Sequence, residues 1–146
     1  MRRATRTAIA PLAALLVLAA AAGCVRRPAL PAAASVPPQN VVRRIAIDDV
    51  LARRAAGEAV VIVDTRDRIV GPMVKDAVHV PISRITSWAK TQPRDTVVVT
   101  YCNCLHEATA AHAVLKLQQE GFTNAYALLD GFRGWAAKGL PLEIRR

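Results

Sequence analysis

Aromatic residues are scarce in this chain of 146 residues, which contains two Trp, two Tyr and two Phe. Its basic residues lack aromatic neighbours, and several come as scattered pairs at 43–44, 53–54 and 145–146. Surfaces that bind nucleic acid usually combine a basic stripe with aromatic side chains on which bases stack. We therefore expect no nucleic-acid partner, and we attribute the net charge of +9 to a solvated face near an anionic bilayer.

Internal repeats are also absent from the sequence, and its length is too small for two domains of ordinary size. The hydrophobic content of 53% is inflated by an alanine-rich first segment, and the rest of the chain has an ordinary globular composition. These features argue against a multispanning membrane protein and predict one folded domain.

An export signal is predicted at residues 1–23. It has a basic head at residues 2–6 and an apolar stretch at 8–22 that is short for a stable membrane span. The small residues before Cys24 resemble the lipobox at which bacterial lipoproteins are cleaved and diacylated, with Ala21 where the pattern prefers Leu. The alternatives are an uncleaved N-terminal anchor and simple secretion.

Acylation of Cys24 would anchor the chain by lipid on the periplasmic or cell-surface side of a membrane. Loss of residues 1–23 removes three arginines and no acid, so the formal charge falls from +9 to +6. Residues 24–40 are rich in Pro and Ala and lack periodic apolar positions, as expected for an extended tether. The folded domain is therefore predicted at 41–146.

Short apolar runs alternate with helical patterns in this predicted domain. The apolar runs predict strands at 59–63, 96–100 and 125–129. The helical patterns predict helices at 48–56, 83–90, 107–120 and 132–138. We expect Asp48 and Ser83 to cap the first two helices. This alternation predicts an α/β fold with a parallel sheet covered on both faces, in which ligands bind at the carboxyl ends of the strands.

Cys102 lies where such a site is expected. Residues 99–109 are interpreted as the end of a buried strand, a short loop that begins with Cys102, and the start of a helix. Backbone N–H groups and the positive dipole end at a helix start favour thiolate over thiol. Such a thiolate can attack sulfur and hold a persulfide, whereas the alternative is that Cys102 is only a small buried apolar residue.

Export would place Cys102 and Cys104 in an oxidising compartment, where thiols are usually paired, bound or used. A disulfide between them closes a very small ring, so we expect it to lie outside comfortable geometry and to be easily reduced, and a structural disulfide is the weakest explanation. Cys104 could instead resolve a persulfide or sulfenic acid on Cys102, or have no function. With His106 the two thiols could hold Cu(I) or Zn²⁺, but the spacing is unlike a closed zinc site, so we predict no metal and no cofactor.

Four segments succeed one another in order: an apolar strand ending in Asp-x-Arg at 61–66, the stretch GPMVKDAVHVP at 71–81, Tyr101-Cys102, and LLDGFRGW at 128–135. Together they resemble the motifs of rhodanese-like domains, which belong to the sulfurtransferase superfamily. The resemblance implies a five-stranded parallel sheet with helices on both faces, in the rhodanese topology. It also implies that Cys102 carries sulfane sulfur, as a persulfide, from a small sulfur donor to a thiol or other nucleophilic acceptor.

The reactive loop departs from the common family pattern Cys-x-x-Gly-x-Arg-Ser. Leu105, Glu107 and Ala108 stand where that pattern has Gly, Arg and Ser, which makes this loop a Cys-x-Cys-x-x-Glu variant. An arginine would help to bind an anionic donor such as thiosulfate and a glutamate would not, so we expect inefficient thiosulfate turnover. We expect Glu107 to be a first-turn carboxylate that faces the positive end of its helix, with proton management or rejection of anions as the alternative.

The accessory site residues are expected to be Asp64, Arg66, Cys104, His106 and Glu107. Of these, Asp64 and Arg66 are expected to pair, or to hold the loop by hydrogen bonds. Two other functions remain open. One is a non-enzymatic thiol module that binds a metal or a partner protein, which the missing arginine favours. The other is a dithiol redox protein that uses Cys102 and Cys104.

Overall fold

The computed structural model describes residues 40–144. The predicted export signal at 1–23, the acylation of Cys24 and the tether up to residue 39 lie outside the described residues. The domain boundaries drawn from the sequence therefore stay predictions. None of the helices described within residues 40–144 is long and apolar enough to cross a membrane.

A five-stranded sheet forms the centre of the described structure. The strands, in chain order, are β1 (Arg44–Ile45), β2 (Val60–Asp64), β3 (Met73–Val74), β4 (Val78–His79), β5 (Val97–Tyr101), β6 (Ala125–Leu128) and β7 (Leu142–Glu143). The sheet has the order β1-β6-β5-β2-β4, and all of its neighbouring strands run parallel. The short strands β3 and β7 form a separate antiparallel pair. The middle position in the sheet belongs to β5, the strand that leads into Cys102.

The position of β5 is explained by its sequence. Val97, Val98 and Val99 continue into Thr100 and Tyr101, and all five residues are buried. A run that is apolar on both faces is stable only where both faces are covered, which is the situation of a central parallel strand. The hydroxyl of Thr100 is satisfied there, because it donates to the carbonyl oxygens of Ala110 and Tyr126.

Helices cover both faces of the sheet. They are α1 (Ile47–Ala55), α2 (Ile85–Ala89), α3 (Ala108–Gln119) and α4 (Gly131–Ala137). Residues of α1 and α4, such as Val50 and Trp135, share one core cluster, and residues of α2 and α3, such as Ile85 and Leu117, share the other. The predicted α/β fold with a five-stranded parallel sheet and helices on both faces is confirmed.

The two predicted helix caps are wrong. Ala46 occupies the capping position of α1, while Asp48 lies within the first turn and pairs with Lys138 at 2.9 Å. Ser83 lies inside a 3-10 turn at Ile82–Arg84, and α2 begins after that turn. The cap of α1 lies two residues before Asp48, because strand β1 ends just ahead of it. The cap of α2 lies one residue after Ser83, because Ser83 is part of the preceding turn.

The third helix also differs from its prediction. It begins at Ala108 rather than at Glu107, because His106 and Glu107 adopt positive φ angles of 58° and 48° and end a 3-10 turn at Leu105–Glu107. Its buried face is formed by Ala110, Ala113, Val114, Leu117 and Gln118. The helical spacing in the sequence predicts a buried face of Ala111, Val114 and Leu115. Only Val114 belongs to the buried set, because packing against the sheet decides which face of the helix is covered.

Candidate active site

Cys102 comes directly after β5, so the fold places it at the carboxyl edge of the sheet. Its exposed fraction is only 3%. Its carbonyl oxygen accepts a hydrogen bond from the N–H of Phe132, at 3.1 Å, which ties the loop to the start of α4. A Cβ atom on Gly131 would lie 2.7 Å from the same oxygen, and the φ angle of Gly131 is +49°. Only glycine satisfies both conditions, and this role of Gly131 was not recognised from the sequence.

Cys102 and Cys104 are joined by a disulfide bond in this structure. Their Cα atoms lie 5.6 Å apart, which is within the ordinary range for disulfides. The Cα separation is therefore compatible with the bond, and the expected ease of reduction stays a prediction. The two Cα atoms come this close because a bend at Asn103 and Cys104 turns the chain back after β5. Cys104 is exposed, and its sulfur lies 3.6 Å from Oγ1 of Thr109 in the first turn of α3.

The end of the loop is conformationally strained. His106 and Glu107 are consecutive non-glycine residues in the left-handed region, which costs about 1–3 kcal/mol for each of them. His106 is exposed. Within residues 40–144 the structure contains no cluster of three or more His, Cys, Asp or Glu side chains that could hold a metal ion. The combination of Cys102, Cys104 and His106 that the sequence suggested is not such a cluster here.

Glu107 bridges the reactive loop to two other elements. Its Oε1 accepts a hydrogen bond of 3.0 Å from the backbone N–H of Asp130, the residue before α4. Its Oε2 lies 3.5 Å from Nε of Arg44 on the edge strand β1. Glu107 makes no side-chain hydrogen bond that caps α3. The carboxylate therefore supports the start of α4 rather than the start of its own helix, and the sequence did not indicate this partner.

Asp64 and Arg66 form the expected pair. Asp64 is fully buried at the end of β2, and its Oδ2 accepts a hydrogen bond of 2.6 Å from Nη2 of Arg66. The same Oδ2 accepts a second bond of 2.6 Å, from the hydroxyl of Tyr101. That hydroxyl in turn accepts a bond of 3.0 Å from the N–H of Val74. The pair thus acts on the site through Tyr101, the residue directly before Cys102, and the polar role of Tyr101 was missed.

This network shifts two pKa values. Burial raises the pKa of Tyr101, and its hydrogen bond to the Asp64 carboxylate raises it further. The hydrogen bond from Arg66 to Asp64 raises the pKa of the guanidinium against the opposing effect of burial. Arg66 also donates to the carbonyl oxygen of Pro72, at 3.1 Å. Tyr101 therefore stays a neutral phenol and Arg66 a cation at neutral pH, and both bond the carboxylate at the end of β2.

A cation also stands beside the loop. Arg133, an exposed residue of α4, places its Nε 3.4 Å from Oδ1 of Asn103, which lies between the two cysteines. Arg133 was not recognised from the sequence, because it is 30 positions away from Asn103 and becomes its neighbour only through the packing of α4. A guanidinium in this position can attract an anion toward the loop.

Known proteins with similar sequences or folds agree with this picture. The chain is 28% identical over 88 residues to the thiosulfate sulfurtransferase GlpE of Actinobacillus succinogenes, covering 59% of this chain and 78% of that protein. A full-length protein from Lactobacillus plantarum has a similar fold, with a TM-score of 0.64 at 24% identity over 70% of this chain and 88% of the other.

A thiosulfate sulfurtransferase from Pseudomonas aeruginosa also has a similar fold. The TM-score is 0.60 at 25% identity, and the similar region covers 69% of this chain but 20% of that larger one. The family model described as Rhodanese-like domain matches residues 47–138, a span that includes β2, the loop with both cysteines, and α4. The chain therefore belongs to the family of rhodanese-like domains.

Proposed function

We propose that this protein transfers sulfane sulfur, through a persulfide on Cys102, to a thiol or another nucleophilic acceptor. The observation that carries the proposal is the position of Cys102, which directly follows the middle strand and opens the loop into α3 in a chain of this family. The relatives named as thiosulfate sulfurtransferases support the same reaction class.

The reaction begins from the reduced loop, because a cysteine in a disulfide is no nucleophile. After reduction, the Cys102 thiolate attacks the sulfane sulfur of the donor. A bond forms between the two sulfurs, and the donor leaves with the electron pair of its broken bond. An acceptor thiolate then attacks the terminal sulfur of the persulfide, and Cys102 regains its thiolate. The loop leads from Cys102 to the start of α3, and the positive dipole end of a helix favours negative charge nearby.

The loop favours donors of low charge over the thiosulfate dianion. Glu107 occupies the place of the family's arginine, and its carboxylate is held at the base of the loop by Asp130 and Arg44. Arg133 contacts Asn103, between the two cysteines, but both of these residues are exposed to solvent, whereas Cys102 is buried. A low-molecular-weight persulfide of low charge should therefore be used more readily than thiosulfate.

The test is intact-mass analysis of the reduced full-length protein after incubation with thiosulfate, polysulfide or a low-molecular-weight persulfide. The variants Cys102→Ser and Cys104→Ser are treated in the same way. We expect a mass gain of one sulfur atom in Cys104→Ser and no gain in Cys102→Ser. If Cys104→Ser takes up no sulfur from any donor, the proposed function is wrong.

A second candidate function is thiol–disulfide exchange, and the Cys102–Cys104 disulfide is the observation that favours it. The two candidates differ in whether sulfane sulfur is needed. A dithiol redox protein would oxidise or reduce a protein thiol pair at equal rates with and without a sulfur donor, as followed by the redox state of a model dithiol. A sulfurtransferase would require the donor.

We further propose that a lipid on Cys24 holds the domain on the periplasmic or cell-surface side of a membrane. The support is the sequence of residues 1–24, with its basic head, its apolar stretch and its small residues before the cysteine. In that place the donor is a small diffusible sulfur compound, and the acceptor is a small thiol or the thiol of a protein partner.

A further inference from the structure

We propose that Cys104 discharges the Cys102 persulfide, so that the protein releases hydrogen sulfide and returns to the disulfide form. This inference rests on the proposed function, because it requires the persulfide on Cys102. It assigns Cys104 a reaction of its own, and it makes the disulfide the product of those turnovers in which no external acceptor takes the sulfur.

The step balances without an added oxidant. The Cys104 thiolate attacks Sγ of Cys102, a bond forms between the two cysteine sulfurs, and the bond from Cys102 to its terminal sulfur breaks. The terminal sulfur leaves with the electron pair as HS⁻, and it keeps the proton of the protonated persulfide. The sulfane sulfur is thereby reduced to sulfide while the two cysteines are oxidised to a disulfide. A dithiol reductant then restores both thiols and exposes Cys102 to the next donor molecule.

The loop geometry allows this attack. Sγ of Cys104 reaches Sγ of Cys102 because the bend after β5 brings the two Cα atoms to 5.6 Å. His106 and Glu107 adopt left-handed conformations directly afterward, and Glu107 is fastened to Asp130 and Arg44. The end of the loop is therefore held, and the attacking residue lies between that held end and Cys102.

The different exposure of the two cysteines gives the reaction a direction. Cys102 is almost completely buried, whereas Cys104 is exposed. An external dithiol therefore meets Cys104 first, and attack there expels Cys102 as the leaving thiolate. The same exposure gives a dissolved base access to the Cys104 thiol.

Thr109 supports the attacking form of Cys104. Its Oγ1 lies 3.6 Å from the sulfur of Cys104, and its position in the first turn of α3 is fixed by that helix. The hydroxyl can donate to a thiolate on Cys104 and orient it. No arginine occurs within residues 102–109, so the loop itself carries no guanidinium that would hold a persulfide anion against discharge.

The experiment is a single turnover under anaerobic conditions with the full-length protein, reduced and then freed of reductant. One equivalent of a low-molecular-weight persulfide is added, a sulfide-selective electrode follows free sulfide, and intact-mass analysis follows the protein. We expect the wild type to release one equivalent of sulfide and to lose the mass of two hydrogen atoms. Cys104→Ser should release none and keep the mass of one added sulfur.

Thr109→Val is the matched variant, because it removes the hydroxyl without touching either cysteine. We expect the rate of sulfide release to fall about fivefold while sulfur uptake by Cys102 is unchanged. A wild-type protein that holds the added sulfur without releasing sulfide would overturn the inference and leave the proposed function standing. Added sulfur that peptide mapping finds on Cys104 would also overturn it. Failure of Cys104→Ser to take up sulfur would instead remove the proposed function itself.

Discussion

Single residues at this site act mainly through partners that are distant in the sequence. Tyr101 is the clearest case, because it lies inside an apolar strand and yet donates to the buried Asp64 carboxylate, 37 positions away. The carboxylate of Glu107 likewise has a distant partner, because it accepts a hydrogen bond from the backbone N–H of Asp130, 23 positions away. The chemistry of the loop is therefore supported by polar contacts that hold the ends of β2, β5 and α4 together.

Removal of the Tyr101 hydroxyl should destabilise the protein and change its alkaline unfolding. The raised pKa of Tyr101 means that the folded state favours the protonated phenol. This contribution is complete below about pH 10 and is lost as the pH rises above that value, because the unfolded tyrosine ionises first. Tyr101→Phe should lower the free energy of unfolding at pH 7 by about 2 kcal/mol and flatten its decline above pH 10.

Urea denaturation between pH 7 and 11 measures both effects. Tyr126→Phe is the control, because the chain has two tyrosines and the hydroxyl of Tyr126 accepts from Arg43 instead of bonding Asp64. The control should keep the alkaline decline. An equally steep decline in Tyr101→Phe would show that another group is responsible.

Arg133 should matter for anionic donors only. Arg133→Ala removes the cation beside Asn103, so we expect the KM for thiosulfate to rise about threefold to tenfold, with little change for an uncharged sulfur donor. Steady-state kinetics of the reduced protein measure this. Lys138→Ala is the matched control, because Lys138 is an exposed cation directly after α4 and pairs with Asp48. Equal effects of the two variants would indicate a general loss of positive charge.

Among the elements, the contact between the reactive loop and α4 is the one that positions the site. The N–H of Phe132 bonds the carbonyl of Cys102, and the N–H of Asp130 bonds Glu107, so both ends of the loop meet the same helix start. A displacement of α4 would therefore move the cysteines directly.

Gly131→Ala should displace this helix start. A methyl group there would lie 2.7 Å from the Cys102 carbonyl oxygen, in addition to the cost of a positive φ. Gly139→Ala is the control, since its φ is +66° and its Cβ would meet nothing within 4 Å. The control should cost about 1 kcal/mol of stability, and Gly131→Ala clearly more, together with slower sulfur uptake by Cys102. Thermal unfolding measures the costs, and equal values would contradict the proposed close packing.

At the scale of the whole molecule, the remaining question is attachment to a membrane. Cys24→Ser should abolish incorporation of a palmitate analogue in a bacterial host and release the protein into the soluble fraction. Cys104→Ser should leave both properties unchanged, because its thiol belongs to the domain. Retention of Cys24→Ser in the membrane would indicate an uncleaved N-terminal anchor, and a soluble wild type would indicate simple secretion.

The strands and helices near the site could be predicted from the sequence because their signals are local. The apolar runs at 59–63 and 96–100 mark β2 and β5 to within about one residue, and Gly121 lies just beyond the end of α3. The position of Cys102 at a strand end is indicated by the same pattern. The helix caps were harder to predict, because the strand or turn before each helix determines where the helix begins, and neither Asp48 nor Ser83 lies at that position.

The sequence by itself determined the α/β fold, the position of Cys102 at the carboxyl edge of the sheet and the short-range pair of Asp64 with Arg66. Only the tertiary structure decided that Tyr101 bonds Asp64, that Glu107 supports α4, and that the loop bends enough to join its cysteines. The physical reason is distance along the chain. Hydrophobic periodicity and turn chemistry act over a few residues, whereas these contacts depend on packing and on backbone angles that a residue adopts only under constraint from its neighbours.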